Sequence, residues 1–352
     1  MRKLLIIVLV IAIGVFATKQ LSAPSGDLIS PLSKKDELSF LQRLVDSRVF
    51  DANKEKVTAN PIDWARGFGA PDPLVSEGSY VVVDGDGNVV LAQDPDTKKS
   101  PASLVKLMTA MVALDLSRED EVFTVPKESV NLEPTILMVD EGEKFLVGEL
   151  LEGALITSAN DATDVLARGV AKKLGGSREV FVKLMNQKAQ NLDLTSTVFA
   201  NPTGYDDPRQ ASTARELAKM THYALENYPT IKELVATKSA RLDKTATHKS
   251  FELPNWNALL GVYPGVSGVK IGYTEGAGYV TIVTAERDAK RFMVVLLGAP
   301  DRRARDFWAT QLLNSAFSES GIKPFKVTLP TLKLREAEWG EQLERAREAQ
   351  GE

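Results

Sequence analysis

Apolar positions along this 352-residue chain fall into three patterns. The first is continuous. Leu4–Ala17 carries no charge and stands between Arg2-Lys3 and Thr18-Lys19. It is shorter than the roughly 20 apolar residues of a spanning helix. A basic start and a short apolar core predict a secretory signal. Small residues offer cleavage after Ala17 or after Ala23, and an uncleaved anchor is the other outcome. Residues 1–23 thus read as a signal or anchor, and either one takes the chain out of the cytoplasm, to the periplasm or cell envelope.

The second pattern has helical spacing. Leu38, Leu41, Val45 and Val49 recur three or four apart within Lys34–Phe50. That helix sits in an N-terminal extension, 24–76, which opens on a Ser- and Pro-rich linker. A mostly helical middle runs from Ala102 to about Tyr228, and another helix covers Asp301–Phe317. The third pattern is strand-like. Tyr80–Val83 and Val89–Leu91 flank Asp84–Asn88 and predict a hairpin. The Asp-x-Asp-x-Asn spacing hints at a calcium loop, but Val89 stands where such a loop needs glycine, so a plain turn is expected. Leu234–Leu242, Val266–Thr274, Gly278–Glu286 and Arg291–Gly298 are also β-like. Strands on both sides of a helical middle predict one α/β (α+β) domain over 77–320, its sheet split in sequence. The tail, 321–352, ends in the charged helical stretch Glu336–Gln350. It lacks the basic amphipathic character of a membrane-surface helix, so membrane association falls to the N-terminal segment.

Composition removes several kinds of chemistry. The chain has 43 Lys and Arg against 47 Asp and Glu, a formal charge of −4. Nothing in that balance suggests a nucleic-acid partner. With no cysteine there are no disulfides, no thiolate catalysis and no cysteine metal site. The only two histidines, His222 and His248, lie outside any motif. A histidine-rich metal site is not expected either.

Serine and lysine carry the chemistry instead. Ser100–Lys106 opens a helix running to about Leu116 that is apolar almost all round, hence buried. Ser103 and Lys106 are three apart and share a face, with β-carbons about 5–6 Å apart. A lysine buried there is costly unless neutral or paired, and burial together with the helix N-terminus depresses its pKa. A neutral amine beside a hydroxyl is a general base beside a nucleophile. Alone the signal is weak. S-x-x-K recurs at Ser267 and Ser320, and an isolated match is usually a capping serine with a snorkelling lysine. A second element, Thr157–Asp161, is a polar turn able to aim Ser158 and Asn160 into a cleft, although either could simply cap a helix. The third, Gly265–Tyr279, holds Lys270-Ile271-Gly272 in a glycine-bearing strand of the kind that approaches another backbone closely.

Taken in order, these elements resemble the penicillin-recognising serine acyltransferases. "PASLVKLMTAMVALD", "LITSANDATDVLA", "FVKLMNQKAQNLDLTSTVFANPTGYDD", "STARELAKM" and "YPGVSGVKIGYTEGAGY" are similar to the D-alanyl-D-alanine carboxypeptidase family, low-molecular-mass penicillin-binding proteins, over about Ser79–Phe317. The resemblance implies a β-lactamase/penicillin-binding transpeptidase-like fold, an antiparallel sheet flanked by helices. It implies Ser103 as nucleophile, Lys106 as its base, Ser158 as proton relay and Asn160 as a substrate-amide ligand. Lys270 would face the substrate carboxylate, and the N–H groups of Ser103 and Tyr273 would form the oxyanion hole. The substrate would be a peptidoglycan stem peptide, β-lactams would be inhibitors, and no metal or organic cofactor would be needed. Many relatives also carry a C-terminal β-rich domain, for which the residues after Phe317 are too few.

One residue departs from the pattern. The family carries Thr or Ser between Lys270 and Gly272, and its hydroxyl bonds the substrate carboxylate; Ile271 cannot. Such a bond is worth about 1.5–3 kcal/mol, roughly tenfold to a hundredfold in kcat/KM. Losing it points to altered substrate handling rather than a dead site. Either the Tyr273 phenol or Thr274 is expected to supply the missing hydroxyl. Three outcomes stay open: a D,D-carboxypeptidase, a D,D-endopeptidase acting on cross-links, and a wall-binding protein with weak turnover.

Overall fold

The computed structural model describes residues 78–350. The expected signal or anchor, the linker and the Lys34–Phe50 helix lie outside them. The chain enters on β1 (Ser79–Asp84), turns, and returns on β2 (Val89–Gln93). The turn is a plain one: the Asp84 carboxylate accepts from the N–H groups of Asp86 and Asn88 and from the Asn88 amide.

A five-stranded antiparallel sheet orders its strands β2-β1-β9-β8-β7, where β7 is Val266–Thr274, β8 Gly278–Arg287 and β9 Lys290–Ala299. The first hairpin therefore pairs with the last strand of the sheet, Ser79–Asp84 against Phe292–Leu297. β7 is left as an edge. Most of β1, β8 and β9 is buried, which explains their nearly continuous Val, Ile and Leu character. One group of buried residues joins Val82, Val283, Val294 and Leu296 of the sheet to Leu312, Leu313 and Phe317 of a C-terminal helix.

The helical middle holds α1 (Lys106–Leu116), α2 (Val147–Leu155), α3 (Asn160–Lys173), α4 (Arg178–Asn191) and α5 (Ala214–Asn227). A 3-10 turn, Ala102–Val105, leads directly into α1. Every residue of α1 from Lys106 to Ala113 is buried, as its all-round apolar sequence requires. Thr213 caps α5, its hydroxyl accepting from the Glu216 N–H. A short pair, β3 (Val122–Thr124) with β4 (Lys144–Leu146), interrupts the helices. Three-residue strands carry too little alternation to be read from sequence.

One expected strand is corrected. Leu234–Leu242 is not a single β run. Leu234–Ala236 closes α6 (Pro229–Ala236), and only Ser239–Leu242 (β5) is extended, paired with β6 (Phe251–Pro254). Pro229 suits a first helical turn, and Ile231 and Val235, four apart, are both buried.

After β9, Asp301 caps α7 (Arg302–Glu319), accepting from the N–H groups of Arg303 and Ala304. The tail then forms α8 (Leu329–Gln350), which buries Leu332 and Trp339 in the same apolar group as α7. Among the described residues no helix is long and apolar enough to cross a membrane.

Candidate active site

The 3-10 turn, the start of α3, the loop 133–138 and β7 together wall a cleft of about 530 Å³. Ser103, Ser158, Asn160, Gly272, Tyr273 and Thr274 all line it. Lys106 and Lys270 lie beneath its surface, at 0% and 3% exposure.

Lys106 sits 2.9 Å from Ser103 Oγ, 2.8 Å from Asn160 Oδ1 and 2.6 Å from the Thr203 carbonyl. A neutral amine has two N–H groups and one lone pair. With an acceptor waiting for each N–H at Asn160 and Thr203, the lone pair is left for the Ser103 hydroxyl. Burial holds the Lys106 pKa well below its ordinary value; Lys270 pushes it the same way, and Asp161 opposes. The neighbourhood therefore favours the base form.

The Thr203 carbonyl reaches the lysine because Asn201 winds the segment back: its Oδ1 accepts from the N–H groups of Gly204 and Tyr205. Gly204 has φ +96°, and a β-carbon there would stand 2.2 Å from the Ala102 carbonyl oxygen. On the opposite wall a β-carbon at Gly272 would stand 2.8 Å from Ser103 N. Both glycines are what let backbone approach the nucleophile this closely. Gly272 brings the β7 edge against the Ser103 amide, where an oxyanion hole needs its donors.

Ser158 adopts a left-handed backbone, φ +66°, uncommon for a residue other than glycine and costing of order 1–3 kcal/mol. It stands one residue before Ala159, the cap position of α3. Asp161, in the first turn of α3, is fully buried and accepts from the N–H groups of Leu137, Val139 and Ala162. It thereby holds the loop that forms the far wall. Burial raises its pKa against those hydrogen bonds.

Lys270 donates to the Ile271 carbonyl at 3.0 Å, and burial, then Arg305, lowers its pKa to about 7. The hydroxyl expected to stand in for Ile271 is already engaged at Thr274, which donates to Asp206 at 2.7 Å and accepts from the Ala277 N–H. The Tyr273 ring leans on Tyr279, centroids 4.3 Å apart.

Sequence reasoning missed Arg305. It lines the cleft at 2% exposure and forks onto Asp306 at 2.7 and 3.0 Å. Arg302 lines the cleft beside it. Asp301-Arg-Arg-Ala-Arg-Asp306 looks like a solvated charge run, yet it places arginines in the first turn of α7, where the helix dipole disfavours cations. That local conflict was the available signal. Arg302 and Arg305 thus bring positive charge to one end of the cleft, and Arg305 is felt at Lys270, while Glu336 and Asp306 offset part of it.

The sequence matches the family profile described as D-alanyl-D-alanine carboxypeptidase over residues 67–301. It is 34% identical over 253 residues to D-alanyl-D-alanine carboxypeptidase DacF of Bacillus subtilis, covering 70% of this chain and 63% of that one. It is 32% identical to D-alanyl-D-alanine carboxypeptidase DacD of Escherichia coli, covering 70% and 64%. The match thus spans just under two thirds of these curated relatives. Among solved structures, penicillin binding protein 5 from Haemophilus influenzae superposes with a TM-score of 0.64 at 28% identity, covering 72% of this chain and 73% of that one. Its fold is the penicillin-binding peptidase fold that the sequence motifs implied. On the strength of the matched profile and these relatives, the chain belongs to the D-alanyl-D-alanine carboxypeptidase family.

Proposed function

We propose that the protein is a serine D,D-carboxypeptidase that removes the terminal D-alanine of peptidoglycan stem peptides through an acyl-enzyme on Ser103. The observation that carries this reading is the Lys106 amine, buried and poised 2.9 Å from Ser103 Oγ with acceptors for both its N–H groups. Ser103 Oγ attacks the penultimate D-alanine carbonyl while its proton passes to Lys106. The N–H groups of Ser103 and Tyr273 take the developing oxyanion. The C–N bond breaks, the amine leaves with a proton delivered through Ser158, and water resolves the ester by the reverse path. Asn160 holds Lys106 through Oδ1 and keeps its amide at the cleft.

Arg305 and Lys270 receive the carboxylate that Ile271 cannot bind. The Nε–Nη2 fork of Arg305 is held by Asp306, so the carboxylate meets its Nη1 in a charge-assisted hydrogen bond, and the ordinary worth of the lost hydroxyl bond, about 1.5–3 kcal/mol, is within its reach. A strained acyl ring with a nearby carboxylate, as in penicillins, fits the same groups. The substrate class and the signal-like N-terminus both support a site of action outside the cytoplasm.

The full chain is tested with a fluorescent penicillin and with a peptide ending in D-Ala-D-Ala, alongside Ser103→Ala. Wild type should label and release D-alanine, and the variant should do neither, losing on the order of a million-fold in turnover. A wild type that neither labels nor turns over, or a variant that still does, overturns the assignment.

A further inference from the structure

The matched family region ends at residue 301, yet the cleft does not. Trp339 of α8 lines it, buried to 3%. Its ring meets Trp256 edge-on, centroids 5.5 Å apart at 72°. Trp256 in turn donates through Nε1 to the Thr157 carbonyl at 2.8 Å, one residue before Ser158. An aromatic pair thus connects the tail directly to the segment that carries the proposed proton relay.

α8 is fixed to both rims. Arg335, 2% exposed on its side chain, donates to the carbonyls of Lys238 and Asn255 at 3.0 and 3.4 Å, which ties the helix to the β5–β6 side. Glu336 lies 3.6 Å from Arg302, which ties it to the first turn of α7. The helix therefore spans the end of the cleft that holds Arg302 and Arg305. On the carboxypeptidase reading that is where the leaving residue sits, because its amine needs Ser158 and its carboxylate needs Arg305.

We propose that α8, through Trp339 backed by Trp256, is the end wall of the leaving-residue subsite and sets the size of the side chain accepted there. A methyl group fits beside the indole; a long or aromatic side chain meets it. Cross-links joined through a D-centre present a free carboxylate too, so the carboxylate alone does not separate a free D-alanine end from an internal bond. The side chain does. The wall is what makes the chain prefer uncross-linked stem peptides. This inference rests on the proposed carboxypeptidase activity.

The experiment compares wild type, Trp339→Ala and Trp339→Phe in the full chain on three peptides differing only in the last residue: D-alanine, D-leucine and D-phenylalanine. All keep the terminal carboxylate. Wild type should favour D-alanine over D-phenylalanine by at least about thirtyfold in kcat/KM, within the usual reach of a sterically limited pocket. The ratio of D-phenylalanine to D-alanine kcat/KM should rise at least about tenfold in Trp339→Ala, with Trp339→Phe between. Loss of general stability lowers all three substrates together and leaves the ratio flat. A flat ratio in both variants overturns the wall. A wild type that hydrolyses none of the peptides and takes no fluorescent penicillin overturns the carboxypeptidase reading instead.

Discussion

At the scale of single residues, Ile271 stands where the family pattern has a hydroxyl. Isoleucine retains the β-branched shape that suits β7 and pairs across the ladder with Thr281. What it cannot do is bond a carboxylate. Ile271→Thr should therefore add a bond rather than restore a lost function. With Arg305 already in place, kcat/KM on a D-Ala-D-Ala peptide should rise about tenfold. A peptide with its terminal carboxylate amidated should gain nothing. Equal gains on both would mean that the hydroxyl reads something other than the carboxylate. Legibility divides along the same line. Ser103, Lys106, Ser158, Asn160, Lys270 and Gly272 were readable because short spacings on one helix, one turn and one strand bring them together. Arg305 and the Thr203 carbonyl were not. The first was hidden in a charge run, and the second is backbone, delivered by the turn that Asn201 winds and Gly204 permits.

At the scale of elements, the cleft depends on two loops held from below. Asp161 serves both walls: its oxygens bind backbone N–H groups of the loop 137–139, and its charge is felt at Lys106. Asp161→Asn separates these effects. One acceptor oxygen becomes an amide NH2 facing N–H donors, leaving some of them unpaired at a cost of about 1–3 kcal/mol, seen as a lower unfolding midpoint. The lost negative charge also removes the influence that raises the Lys106 pKa. Lys106 then sheds its proton at lower pH, and the acid limb of the penicillin acylation rate should move down in pH. A limb that stays put would leave Asp161 with a loop-holding role only. The sequence displayed the element that carries Asp161 but not its partners Leu137 and Val139, which lie 24 and 22 residues away in the chain. The error over Leu234–Leu242 has a related cause: a short apolar run with β-branched residues satisfies both periodicities until packing against the rest of the chain selects one.

At the scale of the molecule, the sheet closes only when its first hairpin meets its last strand, and the cleft closes only when the tail comes back as α8. The core beneath that cleft carries two buried lysines, and they act on the stability of the whole fold. Lys270 titrates near 7 in the folded chain and near about 10.4 when exposed. Below about pH 7 it is charged in both states, and the folded state bears the full burial cost. Between about 7 and 10.4 the unfolded chain keeps the proton that the folded chain has released. The unfolded state then binds more protons, so stability rises with pH across that window. Above it both states are neutral and the contribution is gone. At about 1.36 kcal/mol per unit the total is on the order of 5 kcal/mol, a large share of the about 5–15 kcal/mol of a typical fold. Lys270→Met should thus be more stable than wild type at about pH 6–7 in urea unfolding, with the difference shrinking towards about pH 10. The same variant should lose kcat/KM on carboxylate-bearing peptides, because the charge that burdens the fold is the one proposed to meet the substrate. A wild-type stability that is flat from about pH 7 to 10, or a methionine variant with the same slope, would show that this lysine is not held near neutrality by burial.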